Sequence, residues 1–411
     1  MRIQTGQGTI PLITLIGIWS ISALNALPGL AVSPILGKLS TIFPHSTELD
    51  IQMLSSLPSL LVIPFIILSG KLTEKVNYIR LLQTGLIIFS LSGILYLLSN
   101  KMWQLIAVSA LLGIGSGLIV PLSTGLISRF FIGGYRTKQF GLSSAITNVT
   151  LVLATTLTGF LAEINWHLPF IVYLFPLISI VLSVYLKNSI AQNKSKIVPA
   201  DIAVPEQDPS DTAYGRSGIQ VRHLIQIMLF YGLATYLSVI ISFNLPFLMK
   251  EHHFTSGNSG IMISLFFLAI MTPGFFLNQI VAVWKKKTKF YCMLLMAAGM
   301  ALIVFFRSEW LIGLGCIFTG FAYGIIQPIA YDKTTRTALP AKVTLALAFV
   351  MAMNYLAILL CPFIIDALSS VFHTKSQQFP FILNMVIALI AAVWAYMKQD
   401  SFLFNDSYKK V

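Results

Sequence analysis

The chain has 411 residues, of which 56% are hydrophobic and only 10% charged, with a mean hydropathy of +0.83. A soluble chain carries about 25% charged residues, so a water-soluble globule is excluded and lipid is the expected solvent for most of the surface. The net charge of +13 raises a nucleic-acid reading, which the placement of the charges removes.

Taken in chain order, apolar runs fall near 12–36, 51–69, 78–98, 102–127, 140–162, 166–186, 223–248, 258–283, 290–306, 310–331, 343–365 and 379–397. Crossing about 30 Å of hydrocarbon takes roughly 20 residues of helix, so the pattern predicts twelve transmembrane helices in an all-α polytopic membrane protein. The first run follows a single basic residue, Arg2, with no small-residue cleavage site behind it, and reads as a retained helix. With the N-terminus inside, 22 of the 27 Lys and Arg fall on the cytoplasmic side; Lys38, Lys101, Lys250, Arg307 and Lys375 are the five outside. This is the positive-inside asymmetry. The basic balance therefore reports orientation, with both termini cytoplasmic, and no nucleic-acid partner. Cys292, Cys316 and Cys361 all lie in apolar runs and read as small core residues without disulfide or metal spacing.

Residues 187–222 interrupt the apolar pattern with three prolines and four of the chain's fourteen acids. They read as a cytoplasmic linker between six spans in residues 1–186 and six in 223–411. The two halves share a skeleton. Residues 113–129 read GIGSGLIVPLSTGLISR and residues 320–336 read GFAYGIIQPIAYDKTTR. At a fixed offset of 207, Trp103 matches Trp310, Gly113 matches Gly320, Gly117 matches Gly324, Pro121 matches Pro328 and Arg129 matches Arg336. At an offset of 212, Pro34 and Lys38 match Pro246 and Lys250. The six-helix unit is duplicated. Its tryptophans suit the outer interface, its glycines four apart allow close helix approach, and its prolines are expected to break spans 4 and 10.

On these features the chain resembles the major facilitator superfamily of secondary transporters, over its full length. The loop GKLTEKVNYIRLL at 70–82 is similar to that family's Gly-x-x-x-Asp-Arg/Lys-x-Gly pattern. Gly70 and Lys75 match, Glu74 stands for the Asp, Asn77 replaces the second Gly as a residue that tolerates a left-handed backbone, and Arg80 supplies the trailing charge. The resemblance implies two six-helix bundles about a pseudo-twofold axis, and a gate in which Glu74 pairs with Arg129; Gly70, Lys75, Arg80 and Arg336 belong to the same gating set. The corresponding second-half loop, VAVWKKKTKF at 281–290, lacks the acid. The chain has a flavour of the small-molecule and drug exporter branch, yet Ser109 stands where such exporters often carry arginine, and Gly159 has no following proline.

All fourteen acids and six histidines sit at span ends or in loops. Asp50 reads either as a helix cap or, with Glu48, as an outer-mouth proton acceptor; proton coupling itself is implied only by the resemblance. The deep polar residues are neutral. Trp19, Asn25, Ser123, Asn148, Tyr231, Tyr236, Tyr323, Gln327, Asn354 and Tyr355 are the expected substrate-binding set, with Asn148 and Asn354 at nearly equivalent places in the repeats. Together they suggest an aromatic, uncharged cavity for an apolar or neutral ligand. A membrane enzyme would need His, Asp or Glu constellations within the spans, so no enzymatic activity is expected, and no cofactor or metal. The expected partners are a small-molecule substrate, the bilayer and protons, for a monomer in the plasma membrane. Proton-linked efflux is the leading reading, and a nutrient permease or uncoupled facilitator the alternative.

Overall fold

The structure is a computed structural model that describes residues 2–6, 8–72, 76–131, 133–193, 218–335, 337–338 and 343–404. It is almost wholly helical. A short antiparallel hairpin, β1 (Arg2–Gln4) with β2 (Thr9–Pro11), precedes the first span. The helices of the first half are α1 (Leu12–Ala23), α2 (Leu27–Leu30), α3 (Leu36–Ile42), α4 (Glu48–Leu72), α5 (Tyr78–Leu98), α6 (Met102–Phe130), α7 (Gly133–Ile164) and α8 (Pro176–Asn193). Those of the second are α9 (Val221–Glu251), α10 (Ser256–Met271), α11 (Leu277–Trp284), α12 (Thr288–Phe305), α13 (Glu309–Thr335), α14 (Val343–Val371) and α15 (Phe379–Met397). Twelve stretches among the described residues are long and apolar enough to cross a membrane. The expected runs at 78–98, 102–127 and 379–397 coincide with them to the residue. The helix α8 continues to Asn193, into the stretch read from composition as a linker, of which residues 194–217 lie outside those described.

Two expectations about helix breaks are corrected. The first span is not one rod: after α1 it passes through the turn of α2, where Pro28 is extended and Gly29 has φ 82°, before resuming in α3. A side chain at Gly29 would strike the Ser55 carbonyl of α4, so glycine serves both the left-handed backbone and the close approach. Conversely, α6 and α13 run unbroken through Pro121 and Pro328. Proline at position i clashes with the preceding turn and loosens its carbonyls. Here Ser69 Oγ of α4 donates to the Leu118 carbonyl at 3.0 Å, three residues before Pro121. The carbonyl that Pro121 deprives of its donor is that of Gly117, one residue before Leu118, and the Ser69 hydroxyl adds a donor from a neighbouring helix to the same turn.

The chain divides into two compact units, Met1–Pro199 with Met249–Ser264, and Ala200–Leu248 with Leu265–Val411. In the first unit α6 lies against α4. A Cβ at Gly113 would fall 2.5 Å from the Pro58 carbonyl, and one at Gly117 2.6 Å from Phe65 Cβ and 2.9 Å from the Val62 carbonyl. In the second unit α13 lies against α10 in the same way, Gly320 on the Phe266 carbonyl and Gly324 on the Ile270 carbonyl. The contacted residues are offset by 208, so the duplication extends from the glycines to what they touch. Trp103 and Trp310 are the second residues of α6 and α13 and are 65% and 89% exposed, as interface anchors should be.

The first unit also holds the outer end of α9 and the start of α10. Lys250 Nζ donates to Ser40 Oγ at 2.7 Å, and Lys38 Nζ to the Ala162 carbonyl. The Gly257 N–H donates to Glu163 Oε1 at 2.8 Å. In the second unit the C-terminal segment after α15 is tied down by Lys333 Nζ, which donates to the carbonyls of Phe402 (2.7 Å) and Leu403 (2.8 Å). The three cysteines are buried and form no disulfide.

Candidate functional site

In the second unit, α9, α13 and α14 bring a neutral polar cluster together. Tyr231 and Thr235 stand one turn apart on α9; Tyr323, Gln327 and Tyr331 follow at four-residue steps on α13, so each set lies on one helix face. Asn354 Oδ1 accepts from Tyr323 Oη at 3.1 Å and from Thr235 Oγ1 at 3.0 Å. Because a carbonyl oxygen only accepts, the proton of Tyr323 is committed to Asn354. Tyr231, 3.1 Å away, must then donate to Tyr323, and Tyr331, also 3.1 Å from Tyr231, donates to Tyr231. Gln327 Nε2 donates to the same Tyr231 oxygen at 3.2 Å. The hydroxyls thus form a directed chain from Tyr331 to Asn354. Tyr231 is fully buried, and its ring stacks on Tyr323 with centroids 6.1 Å apart. Asn354 and Gln327 are half-buried, and their remaining polar atoms, Asn354 Nδ2 and Gln327 Oε1, make no hydrogen bond to the described residues. The cluster therefore presents one amide donor, one amide acceptor and aromatic surface, with no charge.

Of the expected second-half residues, Tyr231, Tyr323, Gln327 and Asn354 are joined here, and Tyr355 is half-buried beside Tyr331. Tyr236 is not part of the network: its hydroxyl lies beside Asn384 and Cys361, toward α15 and the far part of α14. As the residue directly after Thr235, it is rotated by about 100° around the axis and points to a different side of α9.

The first unit gathers a smaller cluster where α1 gives way to its break. Trp19 Nε1 donates to Gln139 Oε1 of α7 at 3.0 Å. Ser22 Oγ donates to the Ile18 carbonyl at 3.1 Å, so at 3.3 Å Ser123 donates to Ser22. Asn25 Nδ2 in turn donates to Ser123 Oγ at 3.2 Å. This wiring leaves Asn25 Oδ1 buried without a hydrogen-bond partner. A buried amide oxygen with no donor is costly. Asn148, the repeat counterpart of Asn354, behaves differently. Its Nδ2 donates back to the Ser144 carbonyl of its own helix at 2.9 Å. The duplication preserved the residue type and not the contact.

Of the expected gating residues, Glu74, Lys75 and Arg336 lie outside the described residues, and Gly70 is in the last turns of α4. Arg129 sets its guanidinium 4.0 Å over the ring of Tyr78, the first residue of α5, while the Tyr78 hydroxyl donates to the Leu122 carbonyl. The start of span 3 is thus held to the end of span 4 by a cation–π contact. Arg80 is exposed. Asn77 does not adopt the left-handed backbone: at φ −60° it is the N-cap of α5, its side chain accepting from Ile79 N at 3.0 Å and Arg80 N at 3.4 Å. The capping role that Asn plays so well displaced the turn role.

Asp50 takes part in capping, but the N-cap is Thr47, three residues before it. Thr47 Oγ1 accepts from Asp50 N at 3.1 Å, and Asp50 Oδ2 accepts from Thr47 N at 2.9 Å, a reciprocal capping box at the start of α4. Glu48 is exposed in the same first turn.

Thr235, Tyr331 and Gln139 are the members that sequence reasoning missed. For the first two a signal existed: Thr235 is four residues after Tyr231, and Tyr331 four after Gln327, the helical spacing of a shared face. Gln139 had none, since only the packing of α7 on α1 brings it to Trp19.

The model of the Major Facilitator Superfamily matches residues 12–201 and 224–403. The chain is 30% identical to the quinolone resistance protein NorA of Staphylococcus aureus over 115 residues, 28% of this chain and 29% of NorA. It is also 30% identical to the multidrug transporter protein MdtP of Bacillus subtilis over 155 residues, 37% of this chain and 28% of MdtP. The matched region thus spans under a third of these relatives' length. Among solved structures, the nucleoside transporter NupG aligns with a TM-score of 0.68 at 14% identity, covering 95% of this chain and all of NupG. A peptide transporter, POT, aligns with a TM-score of 0.73 at 15% identity, covering 94% of each chain. At such identities the likeness speaks for the fold. With the family match running through both halves, the twelve spans and the duplicated helix packing, this multi-pass membrane protein belongs to the Major Facilitator Superfamily.

Proposed function

We propose that the chain is a secondary active transporter of the plasma membrane that expels a small neutral or amphipathic solute by alternating access, linked to proton entry. The observation that carries this reading is the uncharged cluster on α9, α13 and α14, whose open valences are one amide N–H, one amide carbonyl and tyrosine rings. Such a surface suits a planar, moderately apolar solute held by few hydrogen bonds, and without a fixed negative charge it has no strong preference for cations. The names of NorA and MdtP, a quinolone resistance protein and a multidrug transporter, support export. In this reading residues 1–186 and 223–411 are the working halves, joined by 187–222, in a monomer with both termini in the cytoplasm. Gly70, Glu74, Lys75, Arg80, Arg129 and Arg336 serve the gate, and Glu48 or Asp50 receives the proton.

The uptake or uncoupled-facilitator reading retains one observation in its favour: Asp50 is already engaged in a helix cap. The two are separated by reconstituting the protein in liposomes and measuring uptake and efflux of a compound panel with and without an imposed pH gradient. Gradient-driven accumulation of neutral amphipathic compounds is expected. Equilibration that ignores the gradient overturns proton-linked export, and selective movement of a hydrophilic nutrient overturns the substrate class.

A further inference from the structure

At the boundary end of α11 and α12 lies a basic, aromatic-lined hollow that the transport reading does not use. After Trp284 the chain turns at Lys285, a non-glycine residue at φ 48°, and the run Lys285–Lys287 forms one turn of 3-10 helix before α12 begins. With three residues per turn, the three lysines fan out around a cavity of about 610 Å³ that is also lined by Trp284, Tyr291 and Gln399. Lys286 is spoken for: its Nζ lies 2.5 Å from Asp400 Oδ1. Lys287 Nζ sits 5.4 Å from the centre of the Tyr396 ring. Among the described residues no carboxylate pairs with Lys285 or Lys287. The hollow therefore keeps two positive charges.

We propose that this hollow binds the headgroup of an anionic phospholipid. Charge complementarity selects a phosphate-bearing ligand. Three features favour a lipid over a free phosphate. Trp284 and Tyr291, 5.4 Å apart, and Tyr396 are residues that settle at headgroup depth. Val283, which lines the hollow at the end of α11, and Met397, two residues before Gln399 at the end of α15, are 75% and 74% exposed and give acyl chains an apolar wall. The volume exceeds what an inorganic anion needs and suits a glycerophosphate head. A lysine at φ 48° costs conformational energy, the repulsion between neighbouring lysines adds to it, and a bound anion would relieve that repulsion.

The test is direct binding to the purified full-length protein in neutral detergent. Short-chain phosphatidylglycerol, short-chain phosphatidylcholine and inorganic phosphate are titrated separately, with the thermal unfolding midpoint as one readout. The second is quenching of Trp284 by brominated phosphatidylglycerol, taken as the difference from a Trp284→Phe variant. Phosphatidylglycerol should raise the midpoint and quench Trp284, phosphatidylcholine should do neither, and Lys285→Gln with Lys287→Gln should weaken binding roughly 25-fold, about fivefold for each charge near a membrane surface. Lys375→Gln, in the loop before α15, should bind as the unmodified protein. Equal binding of the two lipids, or full binding by the double lysine variant, overturns the site. Inorganic phosphate matching the lipid at equal concentration overturns the lipid assignment. The quenching difference keeps the test decisive if the lysine variant unfolds, since it is read on the unmodified pocket lysines.

Discussion

Replacing Asn354 with Asp places a carboxylate where the second-unit cluster now offers a neutral amide. Tyr323 Oη and Thr235 Oγ1 already donate to Oδ1 at 3.1 and 3.0 Å, so the ionised side chain inherits two donors aimed at it. Against that, a charge brought to mid-span meets a penalty of about 2.5–3.5 kcal/mol, which the cationic solute bears and its neutral isostere does not. A cationic solute about 4 Å away gains roughly 4 kcal/mol at an effective dielectric near 20. The difference leaves about 0.5–1.5 kcal/mol in favour of a cation, a factor of about 2–13 in relative transport. The assay is liposome efflux of a lipophilic cation and its neutral isostere, reported as the ratio of their rates. Taking the ratio cancels changes in folding or insertion that affect both compounds alike. If the ratio for Asn354→Asp equals that of the unmodified protein, Asn354 does not face the solute and the cluster is structural.

Further outcomes are expected at other places. Gly113→Ala pushes a Cβ against the Pro58 carbonyl at 2.5 Å and should destabilise by about 1–3 kcal/mol, whereas Gly274→Ala, with nothing within 4 Å, should change the unfolding midpoint little; equal midpoints would refute the close-packing account of the repeat. Tyr78→Phe keeps the ring beneath Arg129 and should transport nearly normally, while Tyr78→Leu removes the cation–π contact and should slow transport; comparable rates in both deny that contact a gating role. Asp50→Asn still accepts from Thr47 N–H, so together with Glu48→Gln it should preserve stability within about 0.5 kcal/mol but abolish pH-gradient-driven transport. Normal gradient-driven rates in that double variant strike both acids from the coupling role.

Hydropathy, charge placement and the doubled Trp–Gly–Gly–Pro–Arg skeleton determined the span count, the even halves and the family, because each is a local or strictly repeated property of the chain. Gly113, Gly117, Gly320 and Gly324 even announced their helix faces, since a missing Cβ has one structural consequence wherever backbones meet. What only the tertiary structure decided was which polar groups find one another. Asn148 and Asn354 are near-equivalent in the repeat, yet one bonds its own helix and the other anchors a tyrosine chain across three helices. Pro121 lies inside a continuous helix whose Leu118 carbonyl accepts from Ser69, 52 residues before the proline, while the first span breaks at Pro28 and Gly29, where Ser55 leaves no room for a Cβ. Hydrogen-bond partners are chosen by distance in space, and a single sequence carries no record of that distance.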